Sequence, residues 1–137
     1  MTFIQIGDRS KQTTDVMAAA VRAAGGLEAL GVTKGDVIAQ LLRNDFAFLE
    51  SSIAAGQIGV YATPINWHSS PAEVRYVLED SGARVLVGHS DLLARVRNEI
   101  PDGVTLLGVP TPDDLSALYD LDPVPLPAGV EDWEQWV

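Results

Sequence analysis

The sequence predicts an α/β fold, a parallel sheet with helices packed on it, in the order β-α-β-α-β-α-β. Three observations carry this. Short apolar runs of strand length recur at 36–42, 60–65, 84–88 and 104–109. Segments with helical or helix-start signals lie between them, at 45–58, 70–81 and 91–99. The connections are short, and alternation of this kind predicts right-handed crossovers into one sheet. With 137 residues, the chain has the length of a single domain. We divide it into an α/β subdomain at 1–109 and a proline-rich connector and tail at 110–137.

The elements follow in order. Residues 3–7 form a short strand, with Asp8-Arg9-Ser10 as its turn. A helix spans about 14–30, because Val16, Ala20, Ala23, Leu27 and Leu30 fall on one face. Thr13 or Thr14 caps its start and Gly31 ends it. Gly25 and Gly26 lie inside it, each costing on the order of 1 kcal/mol relative to Ala. That cost calls for close packing onto another element, or else a break in the helix.

Val37, Ile38, Ala39, Leu41 and Leu42, interrupted by Gln40, fit a strand covered on both faces. Asn44 or Asp45 caps the next helix, with Phe46, Leu49 and Ile53 as its buried stripe. Pro64 ends the following strand or places it at an edge. Ser70-Pro71-Ala72-Glu73 has the capping-box pattern with proline at the first helical position, and Gly82 supplies the stop. Strands at 84–88 and 104–109 flank a helix whose apolar side is Leu92, Leu93, Val96 and Ile100. Beyond Pro110, the prolines at 112, 123, 125 and 127 indicate an extended connector with a short helix at 113–118. Trp133 and Trp136 then form an apolar tail, read as packing on a partner surface or on a further part of the protein.

Charge and composition exclude several functions. The formal net charge is -10, from 19 acidic and 9 basic residues. Nucleic acids and anionic membranes call for clustered Lys and Arg, so neither is an expected partner. The absence of cysteine removes disulfides, thiolate zinc sites and a Cys nucleophile. The N-terminus has no signal-peptide run and no segment has membrane-spanning length, so the expectation is a soluble cytoplasmic protein.

Candidates for chemistry are few. His68 and His89 follow or end strands, where α/β folds place sites. Neither belongs to an HxxxH or HExxH pattern, so both are read as structural or solvated. No Ser occupies a GxSxG elbow. The stretch 31–36 lacks the Gly-Lys-Ser/Thr ending of a phosphate loop and precedes a strand instead of following one. Glu50, Glu73, Glu79 and Asp80 are read as a solvated helical face, with Glu73 in the capping box. Asn66, Trp67 and His68 remain as weak candidates for substrate contact or for packing. No catalytic, cofactor-binding or metal-ligating residue is assigned.

Several segments, in order, resemble a known family. Residues 31–39 with Leu41-Leu42-Arg43-Asn44 are similar to its first βα junction. Phe48-Leu49-Glu50, Ala54-Ala55, Gly59-Val60-Tyr61 and Pro64-Ile65-Asn66 are similar to its second motif. Glu73-Val74, Tyr76-Val77-Leu78 and Asp80-Ser81-Gly82-Ala83 continue it. Together they resemble the N-terminal part of an adenylate-forming acyl-CoA synthetase, a fatty-acyl-CoA ligase of the AMP-binding enzyme family. One departure is Thr14-Asp15-Val16-Met17, where the family often has an aromatic residue before Glu-Leu or Asp-Leu.

The resemblance implies a parent enzyme that joins ATP and a carboxylic acid into an acyl-adenylate, releases pyrophosphate, then transfers the acyl group to CoA. It implies ATP, Mg2+ and CoA for that parent and none in this chain, because the family's phosphate loop, hinge and catalytic lysine come after the region present here. The expectation is an N-terminal fragment that is inactive alone. Its partner would be the remainder of the enzyme chain, or a second copy through an open sheet edge. The alternative is a stand-alone α/β binding or regulatory module derived from the family.

Overall fold

The computed structural model describes residues 2–137. A two-stranded antiparallel hairpin comes first, β1 (Phe3–Ile6) and β2 (Arg9–Gln12). The turn is Gly7-Asp8, with Gly7 at φ 58°. Arg9 and Ser10 therefore belong to a strand, not to the turn expected for them. The sequence of β2, Arg-Ser-Lys-Gln, has no apolar alternation, so its pairing is set by β1 and by Arg9's ion pairs.

Helix α1 (Thr13–Ala29) is continuous through both glycines. Its N-cap is Gln12, without a side-chain cap, and neither threonine fills that role. Instead the Thr13 N–H and hydroxyl both donate to the Thr2 carbonyl, so the hairpin closes the helix end. A Cβ on Gly26 would sit 2.8 Å from the ring of Trp136, while one on Gly25 would meet nothing within 4 Å. Close packing therefore explains one glycine of the pair.

The main sheet holds β3 (Val37–Leu41), β4 (Tyr61–Pro64), β5 (Val85–His89), β6 (Thr105–Val109) and β7 (Glu131–Asp132). Its order is β4-β3-β5-β6-β7, with every pairing parallel. The β-α-β-α-β-α-β core is as expected, with α2 (Phe46–Gln57), α3 (Pro71–Ser81) and α4 (Ser90–Val96) as crossovers. The two faces separate by the period-2 alternation of the strands. On one face Ile38, Val85, Val87, Leu107 and Val109 pack with α1 and α2. On the other, Ala39, Leu41 and Leu86 pack with Val74 and Leu78 of α3 and Leu92, Leu93 and Val96 of α4.

Two expectations about burial are corrected. In α2, Leu49 and Ile53 are only half-buried, and the inner face is Phe46, Ala47, Glu50, Ser51, Ala54 and Ala55. Small residues win because α1 lies alongside with its own alanines, and two helices of small side chains approach closely. Gln40 also points to this face and is satisfied there, its Nε2 donating to Ser51 and Ser52 Oγ at 2.8 Å each.

The second correction is the tail. Residues 131–132 add β7 beside β6, and α6 (Trp133–Trp136) folds onto the α1 face. Trp133 is fully buried within this chain's own core, not on a partner. α5 (Asp113–Leu118) is the short helix expected in the connector.

At the opposite edge, Tyr61 and Ile65 donate backbone bonds inward to Asp36 and Gln40. By alternation, residues 62 and 64 point outward. Position 64 is proline, so the outer edge of β4 offers one N–H, from Ala62, and Pro64 costs no ladder bond.

Candidate functional site

The C-terminal ends of the parallel strands gather most of the buried charge. Ligands of open α/β sheets bind at this end, since loops leave the strands there and helix N-termini face it. Arg43 follows β3, Asp45 is the N-cap of α2, His89 ends β5, Asp91 begins α4 and Thr111 follows β6. Arg9 of β2 and Asp114 of α5 reach in from the side.

His89 is fully buried and both ring nitrogens are engaged. Its Nδ1 accepts from the Arg43 backbone N–H at 3.1 Å, so the ring proton sits on Nε2, which donates to Asp45 Oδ2 at 2.9 Å. Asp45 Oδ1 accepts from Arg9 Nη1 at 2.8 Å and from the Phe46 N–H at 2.7 Å. Burial pushes the Asp45 carboxyl up, but the hydrogen bonds from His89 and Arg9 and the charge of Arg9 outweigh it and hold it below the usual range. Arg9 also donates from Nε to Asp114 at 3.0 Å. Burial works against its charge, and the two carboxylates more than restore it, raising its pKa.

Arg43 is 4% exposed and forms a two-pronged pair with Asp91, at 2.9 and 2.8 Å. Its guanidinium lies 4.6 Å from the Trp67 ring centroid and 5.4 Å from that of Tyr119. Thr111 Oγ1 donates to Asp91 at 2.8 Å, and so accepts the Ser90 hydroxyl at 3.1 Å. Burial again pushes the Asp91 carboxyl up, and Arg43 and Thr111 bring it below the usual range.

The loop after β4 carries the three residues singled out from the sequence. Asn66 is exposed and its Oδ1 accepts from the His68 N–H at 2.9 Å. Trp67 is half-buried, stacked on His68 with ring centroids 3.6 Å apart, and meets Tyr119 edge-on at 4.9 Å. His68 is exposed. Arg95 of α4 donates to the carbonyls of Trp67 and Ser69 at 2.8 and 2.9 Å. The three are brought together at the sheet end; His89 is not part of their loop.

The sequence reading missed Arg43, Asp45 and Asp91. The signal for them was the charged residues just past two of the four apolar strand runs, in Leu41-Leu42-Arg43-Asn44-Asp45 and His89-Ser90-Asp91. Glu50 was also misread. It is 2% exposed, and accepts from Trp133 Nε1 at 3.1 Å with Lys11 Nζ 3.5 Å away.

Chemically, this edge can bind and orient. His89 has no free lone pair and its proton is committed to Asp45. Among the described residues, no three His, Cys, Asp or Glu side chains group as a metal cluster, and the converging carboxylates are already taken by Arg9, His89 and Arg43. These residues do not fit a Mg2+ site.

Such a sheet, layered by helices and polar at its C-terminal edge, defines an α/β domain of the open parallel-sheet class. More specifically, residues 3–135 match the family model for AMP-binding enzymes, and the chain belongs to that family. It is 35% identical to a feruloyl-CoA synthase of Amycolatopsis over 131 residues, 96% of this chain and 26% of that protein. It is 41% identical to 4-coumarate–CoA ligase 3 of Oryza sativa subsp. japonica over 83 residues, 61% of this chain and 15% of that one. The crystal structure of an anthranilate CoA ligase with anthranoyl-AMP has the same fold, with a TM-score of 0.76 at 23% identity, over 95% of this chain and 23% of its own. The chain thus spans about a quarter of the length of the feruloyl-CoA synthase. The resemblance read from the ordered segments is correct.

Proposed function

We propose that this chain forms the N-terminal part of an acid–CoA ligase. That enzyme condenses ATP with a carboxylic acid to an acyl-adenylate and pyrophosphate, then passes the acyl group to CoA. The observation that carries the reading is 35% identity to a feruloyl-CoA synthase over nearly the whole chain. It favours an enzyme part over a stand-alone binding module. Within the ligase, this chain supplies a rigid sheet edge with Arg43, Trp67 and His68 toward the substrate side. Residues that handle ATP, Mg2+ and CoA come from outside these 137 positions, and the remainder of the enzyme is the partner.

The test is carboxylate-dependent exchange of pyrophosphate into ATP. It is run on the 137-residue chain and on the intact polypeptide isolated from the source cell, whose mass is measured. The expected result is a larger polypeptide that exchanges and a chain that alone does not. No exchange by the intact polypeptide with any aromatic or aliphatic acid would sink the ligase reading. Exchange by the 137-residue chain would sink the assignment of the chemistry to residues outside it.

A further inference from the structure

The loop at 65–70 is held at several points along its length. The Asn66 side chain closes a turn on the His68 N–H, and the Ser69 N–H donates to the Asn66 carbonyl at 2.9 Å. Arg95 ties down two carbonyls. The capping box at Ser70 and Glu73 fixes the far end. One support lies beneath the loop: the Arg43 guanidinium, whose central carbon lies over the Trp67 ring at 4.6 Å from the centroid while its two terminal nitrogens are spent on Asp91.

We propose that Arg43 is a positioning residue. Pinned by Asp91, it sets the tilt of the Trp67 ring, and Trp67 in turn presents the exposed His68 ring at the substrate edge of the sheet. The physical basis is directional. A guanidinium held in a two-pronged carboxylate pair cannot rotate about its own axis, so the plane it offers to an aromatic ring is fixed. Asp91 is itself fixed by Thr111, which ties the arrangement to β6. Tyr119 flanks the same guanidinium and meets Trp67 edge-on, leaving the ring little freedom to slide. Among the described residues, the aromatic ring stacked on His68 is Trp67, with centroids 3.6 Å apart, so the imidazole orientation reports that of the indole. The use of this loop by substrate rests on the ligase reading; the positioning itself does not.

The experiment uses the 137-residue chain with no ligand. The His68 ring resonances are recorded by NMR, because a ring stacked on an indole carries a large ring-current shift. Amide exchange at residues 66–70 is measured beside that of β5, which reports the fold. In Arg43→Met, β5 protection is expected to persist while the His68 ring-current shift collapses toward the value of a free imidazole. Exchange at 66–70 should rise about tenfold, the factor that a largely desolvated cation–π contact supports. Arg43→Lys keeps the charge for Asp91 without the planar fork; it serves if the first variant does not fold, and should lose most of the same shift. An unchanged His68 shift in either folded variant overturns the proposal. Because no acid, ATP or CoA is present, this outcome is independent of the exchange assay.

Discussion

The indole Nε1 of Trp133 donates a 3.1 Å hydrogen bond to Oε1 of Glu50, across 83 positions of sequence. Both side chains are essentially out of solvent. This bond ties the tail to α2 and places Trp133 in the main core, with Trp136 packed against it. The indole N–H and Glu50 Oε1 satisfy each other, while Oε2 has the Lys11 ammonium 3.5 Å away as its counter-charge and no hydrogen bond.

Trp133→Ala should therefore cost about 3–5 kcal/mol, from the lost apolar contact and the cavity left behind. Trp133→Phe should cost less but still destabilise, because Glu50 Oε1 keeps no donor. Urea denaturation followed by circular dichroism checks both. A cost for Trp133→Ala no greater than that of an exposed substitution would mean the tail does not hold this core.

The two adjacent glycines of α1 should respond with opposite signs. Gly25→Ala meets open space and should stabilise by about 0.5–1 kcal/mol through helix propensity. Gly26→Ala places its methyl 2.8 Å from the Trp136 ring and should destabilise. Repeating Gly26→Ala in a Trp136→Ala background should remove the penalty. Thermal melts of the four variants give the comparison.

Stability should fall in acid, with a defined sign. The folded Asp45 and Asp91 carboxyls both lie below their ordinary value. Their contribution is thus fully present above the unfolded range, about 4, and is lost as pH falls through the lower folded values. Urea midpoints should be nearly flat from neutral pH to about 5 and drop below about 4. Asp91→Asn should lower the midpoint at neutral pH and shallow the acid fall. A steeper fall in that variant would contradict the assignment.

The capping box gives the mildest test. Ser70 Oγ accepts from the Glu73 N–H at 3.2 Å, and Glu73 accepts from the Ser70 N–H at 2.9 Å. Ser70→Ala should cost about 1 kcal/mol. The effect should also appear as faster amide exchange at the first turn of α3, ahead of any change in β5.

Legibility from the sequence followed the range of the interactions. The Ser70-Pro71-Ala72-Glu73 start and Gly82 stop of α3 were readable because their partners are three residues apart, or reside in one backbone angle. Gly82 sits at φ 67° as a helix stop requires. The strands were readable because β3 and β5 are covered on both faces and so are apolar but for Gln40 and the terminal His89. Strand β2 was not, since its polar residues carry no period and its partner β1 supplies the reason for it.

The candidate site was legible only in part. Trp67 stood out as a large aromatic residue in a loop, but Arg43 beneath it looked like any charged residue after a strand. Nothing local distinguishes a solvated arginine from one fixed by Asp91, 48 positions away. Glu50 was misread for the same cause: its helical position matched a surface stripe, and groups distant in sequence, Trp133 of the tail and Lys11 of the hairpin, lie against it.

By itself, then, the sequence determined the order of the core elements from β3 to β6, the parallel core and the family, because these rest on short-range periodicity and on ordered local segments. Tertiary structure alone decided which charges are buried and paired, that His89 is locked between Arg43 and Asp45, and that the tail completes the core. Those outcomes depend on groups brought together from distant parts of the chain, and desolvation acts on a side chain only once its neighbours are in place.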